Sequence, residues 1–299
     1  YKRQVTGGLR RKHQDNQPNF FDILLFENII SQDQLNSALD EQKTSKNKIP
    51  VIKIGGSTLG ENDSTFEDIV KLYKKGWNIV LVHGGGREIS NWLNKQGVEP
   101  EFVDGLRRTD KSTLDVVISV LSGKINSEIV IELQNLNVKA VGISGSSGLI
   151  SAKQLSKKLG FVGEIVSCNS EILFSLFENG FLPVVSPLAL ACDKKKQIYN
   201  INADTAAGVL AKNLNANNII FQTDVSGVLD SNRRTIPQMT KLQALDLINS
   251  GIVQGGMIPK IKACVDALET VSTGKIIDGT IHGNLLSAFT NDNIGTRIV

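Results

Sequence analysis

From Ile49 onward, short aliphatic and β-branched runs alternate with segments whose apolar residues recur at helical spacing. IPVIKI (49–54), NIVLVH (78–83), VKAVGIS (138–144), FLPVVSP (181–187), NIIFQTD (218–224) and GKIIDG (274–279) read as strands. Helical patterns lie between them at 66–75, after the glycines 84–86, and at 202–214, 241–250 and 257–272. After Asp110, a suitable N-cap, Leu114, Val117, Ile118 and Leu121 share one helical face, and Ile261, Cys264, Val265 and Leu268 do the same further on. This alternation permits few architectures. Parallel strands need crossovers, the crossover helices cover both faces of the sheet, and right-handed connections bring the strand C-termini to one edge, where ligands of open α/β sheets bind. The expected fold class is therefore α/β, with a mostly parallel sheet between helices.

The chain has 299 residues, 40% hydrophobic and 21% charged, enough for one large α/β domain or two lobes sharing a core. No apolar run approaches the ~20 residues of a membrane helix. The net charge of +3 is misleading, because Lys2, Arg3, Arg10, Arg11 and Lys12 supply more than all of it. The rest is slightly acidic, so neither nucleic acid nor membrane is an expected partner. The basic tail reads as a disordered end, or as the remnant of an organellar targeting segment. Next, Phe21, Leu24, Leu25, Ile29, Leu35, Ala38 and Leu39 predict one or two short helices over 20–42, covering an apolar patch or serving as an oligomerisation arm. Three cysteines, Cys168, Cys192 and Cys264, lie far apart with no histidine at ligand spacing. They point to a reducing compartment rather than to disulfides or zinc, and no metal-ligating set is expected.

Three polar clusters belong to the strand-end edge: Lys53 with Gly55, Gly56 and Ser57; His83 with Gly84, Gly85 and Gly86; Asp224 with Ser226 and Gly227. Glycines let backbone N–H groups approach a ligand, and a helix N-terminus adds positive potential, so the clusters predict an anion site, most plausibly for a polyphosphate. Familiar nucleotide signatures fail. Glu61 and Asn62 stand where a P-loop needs Lys followed by Ser or Thr, and Ile89 replaces the third glycine of a dinucleotide fingerprint. A glycine triplet can also be a bare strand-to-helix turn. Further along, Asn202 reads as an N-cap and Asp204 suits a first turn, which leaves Asn200 unexplained. Pro259 is tolerated near a helix start, but Lys260 there opposes the helix dipole unless an anion shares the site.

The ordered set KIGG (53–56), HGGG (83–86), DGLRRTD (104–110), GFVGEI (160–165), YNINADTAA (199–207), TDVSGVLD (223–230), GGMIPK (255–260) and IGT (294–296) resembles the amino acid kinase family. Within it, the set is most similar to the branch that phosphorylates N-acetyl-L-glutamate. The resemblance runs from about Val51 to Val299 and implies an open, mostly parallel eight-stranded sheet between helices. It divides the chain into residues 1–48, a tail plus helical extension, and a kinase domain at 49–299. That domain would have an acetylglutamate-binding lobe at about 49–190 and an ATP-binding lobe at about 191–299.

The implied reaction is ATP-dependent phosphorylation of the acetylglutamate side-chain carboxylate in arginine biosynthesis, with Mg²⁺ accompanying ATP. Carrier-protein-bound aminoadipate or glutamate kinases of lysine biosynthesis, and non-catalytic sensors, are the alternatives. By resemblance, Lys53 and Lys260 stabilise the transferring phosphoryl group, Asp204 orients both, and Gly56 and Gly85 donate N–H groups to it. Gly85, Gly86, Arg107, Asn200 and Asn202 would hold acetylglutamate. Asp224, Val225, Ser226, Gly227, Val228, Leu229, Ile252, Val253, Gln254 and Met257 would line the ATP site. A cytoplasmic homodimer, or a hexamer linked through 20–42, is also implied. The sequence departs from the family at the short loop Ser144 to Leu149, where Ser147 replaces an Asp, at Arg108, and at Ser287, where arginine-sensing members carry an acid. Strong arginine inhibition is therefore not expected.

Overall fold

The structure is a computed structural model that describes Ser31 and residues 48–55, 64–193 and 196–299. The basic tail, the helices expected over 20–42, Gly56 and Ser57 lie outside the described residues, apart from Ser31. The chain divides into two compact units, Tyr1–Ser45 and Lys46–Val299, and the second carries the sheets and helices described.

Its centre is β1 (Pro50–Ile54), buried along its whole length between β2 (Val80–His83) and β11 (Asn218–Thr223), parallel to both. Burial on both faces is what an aliphatic, non-alternating run predicts for a parallel strand. With β8 (Leu182–Ser186), β5 (Ala140–Ser144), β13 (Thr273–Asp278), β14 (Thr296–Ile298) and β12 (Gln238–Met239), these strands form the expected eight-stranded sheet, in the order β12-β14-β13-β11-β1-β2-β8-β5. Only the β13–β14 pairing is antiparallel.

Alternation along β1 assigns the two layers. Val51 faces a core shared with α6 (Ala203–Asn213) and α8 (Met257–Ala267) through Ala207, Leu210, Ile261 and Cys264. Ile52 and Ile54 face the opposite core, shared with α1 (Thr65–Lys74), α2 (Gly86–Lys95) and α4 (Asn126–Asn135) through Ile69, Leu93, Ile129 and Leu133. Each such aliphatic side chain contributes about 1.5–3 kcal/mol when fully buried. Lys53 shares the face of Val51 and so points towards α6. Its apparent misplacement in a core strand is thereby resolved, since its Nζ reaches the first turn of that helix.

Helix starts follow the predicted caps. Asp110 accepts from Thr113 N ahead of α3 (Lys111–Ile118), and Asn202 accepts from Asp204 N and Thr205 N ahead of α6. The strand expected over 181–187 is β8, which ends at Ser186; after Pro187 the chain enters β9 (Leu188–Ala191), which joins a second sheet. That sheet, in the order β10-β9-β6-β7, adds β6 (Ile150–Gln154), β7 (Gly163–Cys168) and β10 (Ile198–Asn200). Of these, β6, β7 and β10 are short and partly exposed, with no sustained apolar run, so periodicity does not find them. A small hairpin, β3 (Phe102–Val103) with β4 (Leu106–Arg107), turns through Asp104 and Gly105, both at positive φ. Asp-Gly with both residues left-handed is the type I′ hairpin signature, a signal legible in the sequence.

Candidate active site

Because β1, β2 and β11 are parallel and in register, Gly55, Gly84 and Asp224 leave the sheet at one edge. Beside that edge is a cavity of about 630 Å³. It is lined by Lys53, Gly85, Gly86, Arg107, Asn200, Asn202, Asp204, Asp224, Val225, Met257 and Lys260, all predicted site residues from separate parts of the chain.

At its floor, one carboxylate meets two ammonium groups. Asp204 Oδ1 lies 2.9 Å from Lys53 Nζ, and Oδ2 lies 3.2 Å from Lys260 Nζ. Lys260 Nζ also donates to Gly256 O at 3.2 Å, so the cation at the start of α8 has partners of its own. Close helix packing sets this spacing. A Cβ on Gly208 of α6 would come within 2.8 Å of Ala263 O of α8, so only glycine lets the helices approach this far. Lys53 is 6% exposed, and burial holds its pKa below the usual lysine range. Asp204 opposes that fall and the Lys260 charge adds to it.

Arg107 is delivered by the β3–β4 hairpin, its guanidinium 4.8 Å from the Phe102 ring. Nη2 donates to Gly86 O at 2.9 Å and to Ser90 Oγ at 2.8 Å. Nη1 is buried with no hydrogen-bond partner among the described residues. A buried, unpaired donor of a cation is costly unless a ligand meets it, and a carboxylate does so best. Burial pushes the Arg107 pKa down from its usual value. Thr109 is fully buried; its hydroxyl donates to Arg107 O at 2.9 Å and accepts from Asn200 Nδ2 at 3.1 Å. Sequence reasoning singled out neither Ser90 nor Thr109, since a hydroxyl bracing another side chain leaves no pattern.

The other predicted nucleotide-site residues do not line this cavity. Val228 and Val253 are buried in the core, and Val228 N donates to Thr296 Oγ1 at 2.8 Å. Ser226 pairs with Thr235, Leu229 bridges Thr235, and Gln254 Nε2 donates to Gly251 O at 3.0 Å. Gly227 packs against Thr296, and Ile252 is exposed. Of the departures, Arg108 is exposed and pairs with Glu101, and the Ser144–Leu149 loop is also absent from the cavity wall.

The sequence profile of the amino acid kinase family matches residues 48–278. The acetylglutamate kinase of Caldanaerobacter subterraneus subsp. tengcongensis is 44% identical over 91% of this chain and 94% of its own length. That of Methanocaldococcus jannaschii is 43% identical over 92% of this chain and 98% of its own. The crystal structure of smu.665 from Streptococcus mutans UA159 superposes with a TM-score of 0.73 at 27% identity, covering 85% of this chain and 99% of that one. The eight-stranded sheet, the strand-end cavity and likeness over nine-tenths of the chain agree: this protein belongs to the amino acid kinase family.

Proposed function

We infer that the chain transfers the γ-phosphoryl group of ATP to the side-chain carboxylate of N-acetyl-L-glutamate, a step of arginine biosynthesis. The observation that carries this reading is one cavity lined by both the Lys53–Asp204–Lys260 cluster and Arg107, whose buried Nη1 has no hydrogen-bond partner among the described residues, in a chain about 44% identical to acetylglutamate kinases. A carboxylate oxygen of the acceptor attacks the γ-phosphorus, the bond to the β,γ-bridging oxygen breaks, and ADP departs with that oxygen's charge. The acceptor is already ionised at neutral pH, with a reference pKa near ~4.3, so no general base is required. What the reaction needs is in-line alignment of two anions and compensation of phosphoryl charge.

Lys53 and Lys260 supply the charge compensation, and Asp204 holds both in place. Gly56 and Gly85 offer backbone N–H groups to the phosphoryl oxygens. Gly85, Gly86, Arg107, Asn200 and Asn202 hold the acceptor. Asp224, Val225 and Met257, which line the cavity, face the nucleotide, and the remainder of 224–229 and 252–254 supports them from behind. The acceptor falls mainly to the 49–190 lobe, with Asn200 and Asn202 reaching it from the other, and ATP falls to the 191–299 lobe.

Among the described residues no group of three acidic, His or Cys side chains could hold a metal by itself. Asp204 is already engaged by two lysines, which leaves Asp224 as the exposed carboxylate in the cavity wall. That fits Mg²⁺ carried by phosphate oxygens and water, with at most one protein carboxylate. When bound with ATP, the ion neutralises charge on the β- and γ-phosphates.

A homo-oligomer is the expected assembly, a dimer or a hexamer linked through 20–42. Ser287, in place of an acid, leaves arginine a weak inhibitor at most. No described helix is long and apolar enough to cross a membrane, and the three cysteines are free; the reading assigns the protein to a reducing, ATP-supplied cytoplasm. The deciding experiment is ATP-dependent hydroxamate formation with acetylglutamate, aminoadipate and glutamate compared. Turnover with acetylglutamate is expected; turnover only with another acceptor, or with none, overturns the reading.

A further inference from the structure

His83 is fully buried, ionisable, and given no part in the chemistry above. It ends β2 on the face of Leu81, away from Lys53's side of the sheet, and its ring makes two contacts. Nδ1 lies 2.9 Å from Gly84 O, and Nε2 lies 3.1 Å from Asn126 Nδ2. Asn126 Nδ2 also donates to Val184 O at 2.9 Å. A carbonyl can face only a donor, so this contact fixes the amide orientation. Nε2 must therefore accept, and Nδ1 carries the proton it donates to Gly84 O.

The surroundings are shaped to allow this. A Cβ on Gly142 would sit 1.9 Å from Asn126 Oδ1, so only glycine admits the amide. Asn126 follows a π-helical segment, Ser119–Ile125, inserted between α3 and α4. Wider turns of this kind recur at functional sites because they re-aim the residues around them. Here Leu121 and Ile125 come up beneath Gly85, where a Cβ would meet them at about 2.5 Å.

We propose that His83 and Asn126 are positioning residues for phosphoryl transfer, which fix the peptide between Gly84 and Gly85. That peptide is planar and trans, so its carbonyl and its N–H point in opposite directions. Holding Gly84 O against the buried imidazole turns the Gly85 N–H towards the cavity that Gly85 lines. Two adjacent glycines impose little preference of their own on that peptide, which is why an outside hold is needed. The proposal rests on reading the cavity as a phosphoryl-transfer centre.

The test compares H83N with H83Q in the full chain. The Asn amide can place its N–H where Nδ1 stands, whereas the Gln amide reaches the Nε2 position and leaves Gly84 O without a donor. H83N should keep kcat within about fivefold of wild type, and H83Q should lower it by about fiftyfold or more, with both KM values moving less than about threefold. Equal kcat in the two variants, the reverse order, or a loss expressed in KM overturns the proposal. Amide hydrogen exchange at Gly85 provides a reading without turnover: faster in H83Q than in H83N and wild type is expected, and equal rates in all three overturn it. A wild-type enzyme inactive on acetylglutamate would refute the substrate assignment alone, since the exchange measurement stands apart from it.

Discussion

Lys53 and Asp204 meet at 2.9 Å across the junction between the central strand and the first turn of α6. The same carboxylate reaches Lys260 on α8, so two ammonium groups that would repel one another are held on either side of one anion. This arrangement presents two cations to a second, incoming anion. Asp204→Asn keeps the shape and removes the charge that holds the pair. Its kcat should fall by about 10²–10³, the scale of losing a preorganised charge at a transition state. Lys53→Ala and Lys260→Ala should likewise lower kcat far more than they weaken nucleotide binding. Steady-state kinetics with calorimetric nucleotide titration checks this, and near-wild-type turnover in any of the three would refute the assigned roles.

Arg107 spends Nη2 on Gly86 O and Ser90 Oγ, and its buried Nη1 has no hydrogen-bond partner among the described residues. A lysine at this position has one nitrogen, which the same two acceptors would capture. Arg107→Lys should therefore raise KM for the acceptor about 10–100-fold, with the nucleotide KM much less affected. Initial-rate kinetics with each substrate varied in turn separates the two. An equal rise in both would place Arg107 outside acceptor recognition.

Most of the large sheet was legible because a parallel strand buried on both faces has to be a nearly continuous apolar run, as in Ile219–Phe221 and, with Lys53 as its one polar member, Val51–Ile54. Lys53, Asp204 and Lys260 could be named from motif resemblance, but their convergence could not, since the spacing depends on Gly208 of α6 meeting Ala263 of α8. The second sheet escaped because strands such as Gly163–Cys168 are half-exposed and carry no clean apolar pattern. Thr109 escaped for another reason. It holds Arg107 and Asn200 together through one hydroxyl, and only the fold brings β10 beside β4.

His83 supplies the pH dependence. Burial, helped by the nearby Lys53 charge and opposed by the Gly84 hydrogen bond, pushes its folded-state pKa from 6.5 down to about 4. Between those values the unfolded chain binds a proton that the folded chain refuses, so stability rises with pH. The contribution is fully present above pH 6.5 and is lost as the pH falls towards 4. At 1.36 kcal/mol per unit, the whole span is worth roughly 3 kcal/mol. H83N carries no titrating ring and should lack this portion of the acid sensitivity. Urea unfolding of both proteins at pH 7 and pH 4.5 measures it: the wild type should lose about 2–3 kcal/mol more than H83N over that interval. Identical losses would mean that the imidazole accepts a proton in the folded state as readily as in water, and the neutral ring facing Asn126 would have to be abandoned.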